Sequence, residues 1–240
     1  MTVSAFRALH RGRTADHPLV LPGPWDAGSA RVFVDAGFPA LATPSAGVAA
    51  SLGYADGSTP PEEMFAAVSR IVRAVSGAVP VSADIEGGYG LAPGELVGRL
   101  LETGAVGCNL EDSAADGTLK DPGQHADWLA EVRAAAGDAL FVNARVDTFV
   151  HGTGDLADAV ARARLYVAAG ADCVYPILAP IAVLPALRAG IEGPINMAAG
   201  PDKDSVAELG RQGATRITFG PGLQRSAMEA TRALAESLRG

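Results

Sequence analysis

Cysteine and lysine are both scarce in this chain of 240 residues, which has two of each. Cys108 and Cys173 are too few for a disulfide framework, and each falls in an apolar run expected to be a buried strand. That usage predicts free, buried thiols and a cytoplasmic setting. Runs of basic residues are missing too, and the formal net charge is −8. A nucleic-acid partner normally needs a basic stripe, so none is expected. No stretch approaches the roughly 18–20 uninterrupted apolar residues that cross a bilayer. The opening MTVSAFRALHRGRTADHPLV scatters arginines without a sustained apolar core, which argues against a secretory signal. None of the four histidines pairs with a cysteine or acid at zinc-motif spacing.

Apolar residues are plentiful, at 48% of the chain, and their rhythm is regular. Short runs at 19–22, 39–43, 79–84, 106–111, 139–145, 172–177, 194–198 and 216–220 read as strands apolar on both faces. Helical spacing fills 26–37, 62–76, 93–104, 124–136, 155–169, 180–189, 202–212 and 223–238. Pro60-Pro61-Glu62-Glu63 starts one helix, Asp155 caps another, and Gly37, Gly104, Gly170, Gly190 and Gly213 act as stops. The turns AGFPALAT, TGAVGCNLE, AGADCVYP and QGATRITFG repeat one helix-to-strand pattern. Eight such units predict an α/β fold, a (β/α)8 TIM barrel, as a single domain over residues 1–240. An open doubly wound sheet would normally carry a Gly-rich phosphate loop after its first strand, and this chain does not.

Chemistry concentrates where the strands end. VSADIEGGYG (81–90) supplies Asp84 and Glu86, and GCNLEDS (107–113) supplies Glu111 and Asp112. An unpaired carboxylate leaving a core is expensive and wants a cation; oxygen-only ligands suit a hard one such as Mg²⁺. The same barrel rim receives Arg145 and Asp147, Tyr175 and Asn196, and in barrels the reaction sits at the C-terminal strand ends. Taken singly, each is as readily a solvated loop residue; their shared placement favours a site. A Schiff-base lysine is disfavoured, because Lys120 and Lys203 both fall at loop or helix-start positions. Gly200 and Gly220-Pro221-Gly222 could form a phosphate site, although tight turns need the same glycines.

Four motifs, TPSAGVAASLGYADG (43–57), VSADIEGGYG, GCNLEDS and NARVD (143–147), occur in an order and spacing that resemble the isocitrate lyase/phosphoenolpyruvate mutase superfamily across essentially the whole chain. The resemblance implies a barrel assembled into homodimers or homotetramers, with the last helix exchanged between subunits. It implies a Mg²⁺-dependent enzyme acting on a small-molecule carboxylate, making or breaking a bond beside the carbonyl of a 2-oxo acid through a metal-held enolate. By motif, Asp84 resembles the principal metal ligand, with Glu86 and Glu111 as further metal-site acids and Asp56 beside them in a catalytic role. Arg145 resembles the arginine that grips the substrate, and Ser45, Ala46 and Gly47 the loop whose N–H groups hold its carboxylate. Asp112 is expected to orient Glu111 or cap the next segment.

The resemblance leaves the reaction open. Residues 112–125, where the mobile loop should lie, contain no cysteine, no asparagine and one lysine or arginine, Lys120. The isocitrate-type lyases and the phosphonomutases each place a characteristic set there, and this loop matches neither. A lyase cleaving a C–C bond alpha to the carbonyl of a 2-oxo (di)carboxylate, on the carbon next to it, in the manner of an oxaloacetate decarboxylase, needs the least from it. The alternatives are a phosphonomutase or C–P hydrolase, and a catalytically lapsed metabolite-binding barrel. Lys120 is either a catalytic gate or, more simply, a solvated loop charge; Gly117 and Gly123 give that loop hinge-like freedom. Tyr89 and Asn196 are expected to contact substrate, while His125 and His151 read as surface residues.

Overall fold

Each of the eight apolar runs becomes a parallel strand: β1 (Leu19–Val20), β2 (Leu41–Ala42), β3 (Val81–Asp84), β4 (Gly107–Leu110), β5 (Phe141–Val146), β6 (Cys173–Pro176), β7 (Asn196–Ala198) and β8 (Arg216–Thr218). The structure is a computed structural model that describes residues 2–14, 16–75, 77–114, 116–151, 154–200 and 203–239, without the side chains of 203 and 204. Position 202, where one helix was expected to begin, and the Lys203 side chain therefore lie outside the described residues.

Strands β2 to β6 pair in sequence order, and β7, β8 and β1 form a second parallel set. Backbone hydrogen bonds close both seams. Ala42 N–H donates to Pro22 O at 3.1 Å, and Val174 N–H donates to Pro194 O at 3.2 Å. The result is the expected (β/α)8 barrel.

Helices α2 (Ala27–Asp35), α4 (Pro61–Ala74), α5 (Pro93–Thr103), α6 (Pro122–Ala136), α7 (Leu156–Ala168), α8 (Leu184–Gly190), α9 (Lys203–Arg211) and α10 (Gly222–Ser237) follow the strands. Their ends obey local chemistry. Pro61 opens α4 with Glu62 and Glu63 in its first turn, and Asp155 accepts from Ala157 N–H at 2.8 Å to cap α7. Val142, Val174, Ile217, Leu100, Leu129 and Leu184 fill the layer between barrel and helices and are all essentially inaccessible. Each buried side chain of that size stabilises the fold by about 1.5–3 kcal/mol.

Two helices lie outside the expected pattern. α1 (Val3–Leu9) closes the bottom of the barrel, burying Phe6 among Leu19, Leu21, Ala40, Val106 and Phe141. Gly107 makes room there, since a Cβ would stand 2.7 Å from Phe141 O. α3 (Ser45–Leu52) directly follows β2, and small apolar residues on all its faces hid its period. At the other end of the chain, α10 buries only Gln224, while Met228, Leu234 and Leu238 stay exposed. Cys108 and Cys173 are free and buried, as expected. Among the described residues, no helix is long and apolar enough to cross a membrane.

Candidate active site

The alternation of side chains along a strand decides what reaches the mouth. In β3, Ser82 and Asp84 face the barrel interior side while Ala83 packs outward against the helices. Asp84 sits at the strand's C-terminal end, its backbone N–H tied to Thr43 Oγ1 at 3.1 Å. Two residues on, Glu86 adopts a left-handed backbone with φ 54°, a conformation that costs a non-glycine residue about 1–3 kcal/mol. Its N–H returns to Asp84 Oδ1 at 3.3 Å. β4 and the residues after it bring Glu111 alongside, with Glu111 N–H donating to Glu86 O at 3.0 Å.

Arg145, at the end of β5, stands between these acids. It is ion-paired to Glu111 through Nη1 and to Asp147 through Nη2, the latter at 2.8 Å. Asp147, fully buried, also accepts from the Ser113 hydroxyl, and Ser113 Oγ lies 2.9 Å from His151 Nε2. Lys120 is half-buried rather than solvated. Its ammonium donates to Glu111 O at 3.2 Å and lies 5.7 Å from the centre of the Trp128 ring.

Charge at this mouth does not balance. Among the described residues, Asp56, Asp84, Glu86, Glu111 and Asp147 outnumber Arg145 and Lys120 here, which would leave three negative charges were all ionised. The carboxyls respond accordingly. Burial, reinforced by Asp84 and Asp56, pushes Glu86 up to about 7. Burial pushes Glu111 up to about 8; Arg145 opposes this, and Asp84, Asp147 and Glu86 add to it. The Glu111–Arg145 contact by itself would favour the ionised carboxylate, but one guanidinium is divided among three acids and burial prevails. Asp84 is raised as well, by burial first, with Arg145 and hydrogen bonds from Glu86 and Ser45 holding it back.

A hard dication fits this donor set. The acids supply oxygen donors only, and Glu86 Oε1 is buried with no hydrogen-bond partner. No group of three or more acids, histidines or cysteines among the described residues is spaced to hold an ion directly. The arrangement therefore suits an ion that keeps several of its waters, as Mg²⁺ does.

The expected site residues divide into two adjoining cavities. Ser45, Ala46, Asp56, Asp84 and Arg145 line a mouth cavity of about 230 Å³. Glu86, Tyr89, Glu111 and Lys120 line a larger cleft of about 800 Å³. Gly47 lies off both, packed against Pro44, Trp25 and Gln224. Asn196 is completely buried and donates to Thr218 Oγ1 at 3.1 Å, so it meets the mouth through Thr218. Asp112 is tied into the scaffold, accepting from Tyr166 Oη at 2.6 Å, Asp147 N–H at 2.8 Å and Arg162 Nη1 at 3.2 Å.

Asn109, Thr218 and Trp128 were not anticipated. Asn109 and Thr218 line the mouth, and Trp128 lines the cleft. A two-residue step back from Glu111 would have found Asn109, because alternate strand residues share a face. His125 corrects the expectation of a surface residue: it is 2% exposed, stacked on Trp128 and edge-on to Tyr166. Position in a helix gave no hint of this.

The architecture is that of a TIM barrel with a cluster of acids and one arginine gathered at its C-terminal strand ends. Residues 6–239 match the family described as phosphoenolpyruvate phosphomutase, and the chain belongs to that family. An uncharacterized protein of Mycobacterium tuberculosis is 33% identical over 218 residues, covering 90% of this chain and 81% of that protein. A solved structure from Burkholderia cenocepacia, provisionally named a phosphonomutase, is 40% identical with a TM-score of 0.89, covering 98% of this chain and 99% of that one. The structure of 2,3-dimethylmalate lyase, a PEP mutase/isocitrate lyase superfamily member, is 28% identical with a TM-score of 0.86, covering 99% and 87%. Phosphonomutases and lyases thus surround this chain, which is an enzyme of the lyase and mutase kind found in that superfamily.

Proposed function

We propose that this protein is a Mg²⁺-dependent lyase that cleaves a C–C bond at C3, the carbon alpha to the carbonyl, of a small 2-oxo carboxylate, leaving the electron pair as an enolate. The observation that carries the reading is the excess of carboxyls over cations at the mouth, together with the orphaned Glu86 Oε1. Asp84 would contact the ion, with Glu86 and Glu111 reaching it through its waters. A bound ion of this kind supplies Lewis acidity to the 2-oxo oxygen, where negative charge develops as the bond breaks.

The chain's own groups do the rest. Arg145, already held by Asp147, presents a fixed guanidinium edge to a substrate carboxylate. The first turn of α3 offers the Ala46 N–H group at a helix start suited to an anion, while Ser45 hydrogen-bonds Asp84. Lys120 and Asp56 flank the place where the departing fragment would lie. Cleavage is favoured over phosphoryl migration because the loop at 112–125 offers a migrating phosphoryl group one lysine, no arginine and no asparagine. The second reading, a phosphonomutase or C–P hydrolase, is supported by the description of the matching family.

The exposed apolar residues of α10 support a homodimer or homotetramer in which this helix is covered by a second copy. Two buried free thiols suit a cytoplasmic location. The deciding experiment is turnover of oxaloacetate, its C3-substituted relatives and phosphonopyruvate by purified protein with Mg²⁺. Pyruvate or CO₂ released from a 2-oxo diacid, and abolished both by EDTA and in Asp84→Ala, supports the lyase. Rearrangement at the carbon–phosphorus bond instead selects the second reading, and no turnover of any of them refutes both.

A further inference from the structure

The two adjoining cavities are unequal. At about 230 Å³ the mouth lies below the usual range for a drug-sized ligand, about 300–1,000 Å³, and the 800 Å³ cleft lies well within it. A bare 2-oxo diacid seated at Asp84 and Arg145 would leave the cleft to water. One of its walls is apolar: Trp128, Leu91, Tyr89 and Pro61 present aromatic and aliphatic surface alongside the polar groups, and such surface gains by being covered with an apolar guest.

Polar atoms nevertheless wait there. Tyr89 Oη and His125 Nε2 are buried without a hydrogen-bond partner, and both residues line the cleft. The ion that explains Glu86 Oε1 does not explain these two. Burial holds His125 down to about 3 and raises Tyr89, so both are neutral at ordinary pH. Each orphan is costly unless a ligand meets it. The wall is also built deliberately. Tyr89 takes a left-handed backbone, φ 57°, and a Cβ on Gly88 would come within 3.0 Å of the Trp128 ring. Glycine at 88 is what lets the indole come this close to the turn.

The geometry points to a specificity pocket: the substrate carries at C3 a bulky, mainly apolar arm that lies between Trp128, Leu91 and Tyr89 and ends in an uncharged hydrogen-bonding group reaching His125. An anionic end is disfavoured because Glu86 and Glu111 share the cleft, and Lys120 is already directed at Glu111 O. This assignment rests on the lyase reading, since it takes the 2-oxo acid head to sit at the mouth.

Unreactive diacids separate the two claims. Malonate and benzylmalonate are titrated by calorimetry into the full chain with Mg²⁺, and tryptophan emission is followed in parallel. Benzylmalonate should bind at least tenfold more tightly than malonate and perturb the emission. Leu91→Phe, which narrows the cleft, should reduce that preference to less than about twofold. Equal affinities in the wild type, absence of benzylmalonate binding, or an undiminished preference in Leu91→Phe overturns the pocket. These results stand whatever the turnover panel gives: a failed panel sinks the lyase reading, whereas the diacid preference alone decides the cleft.

Discussion

Arg145 chelates Asp147, its Nε donating to Oδ1 at 3.0 Å and its Nη2 to Oδ2 at 2.8 Å. The guanidinium is thus fixed by the protein before any ligand arrives, and its remaining face is held toward Glu111 and Asp84. A planar fork is required for this, and a lysine cannot reproduce it. Arg145→Lys should lower kcat/KM by at least about a hundredfold, the scale of losing a fixed geometry by an ångström. Arg145→Met should in addition destabilise the fold by about 3–5 kcal/mol, because Asp147 is left buried and unpaired. Steady-state kinetics and urea unfolding check the two effects separately.

Stability should depend on pH in an unusual direction. Glu86 and Glu111 rise from 4.5 to about 7 and about 8 in the folded chain. Each therefore binds its proton more tightly folded than unfolded, and the unfolded chain loses protons first as pH rises. The stabilisation is complete below pH 4.5 and is lost as pH climbs through 7 to 8. Metal-free protein in EDTA should show a falling contribution to Tm across that window, and Mg²⁺ should restore Tm most at its alkaline end. A Glu86→Gln, Glu111→Gln double variant should flatten the decline in thermal scans.

Asp112 is a framework residue. Its two oxygens gather Tyr166, Arg162 and the Asp147 backbone; Arg162 keeps its 2.8 Å ion pair with Asp158 without it, so Asp112→Ala should cost about 1–3 kcal/mol in chemical denaturation, chiefly from the Tyr166 hydroxyl and Asp147 N–H left without their acceptor. A loss below about 1 kcal/mol would assign that cluster a lesser role than buried hydrogen bonds normally have.

Much of this molecule can be read directly from its residues. All eight strands fall where doubly apolar runs occur, because a parallel barrel strand is buried on both faces and leaves that mark. The acids at Asp84, Glu86 and Glu111 and the guanidinium at Arg145 could be assigned to one rim by the same logic. Contacts between distant segments could not. The burial of His125 depends on Trp128 and Tyr166, and the pairing of Arg145 with Glu111 joins two strand ends far apart in the chain. α3 escaped because helix periodicity needs a polar face, and SAGVAASL has almost none.

α10 offers a test of assembly. Leu234 and Leu238 are 62% and 80% exposed on a helix that the rest of the chain barely covers. Wild-type protein should run as a dimer or larger by light scattering, and Leu234→Glu with Leu238→Glu should shift it toward monomer. A wild-type monomer would contradict that assignment.

Binding of Mn²⁺, a paramagnetic stand-in that accepts the same oxygen ligands as Mg²⁺, probes the acidic mouth most directly. Electron paramagnetic resonance titration of the wild-type chain should give one saturable ion per chain, displaced by Mg²⁺ and lost in Asp84→Ala. No saturable binding, or binding that Asp84→Ala leaves intact, would mean that these carboxylates serve another purpose.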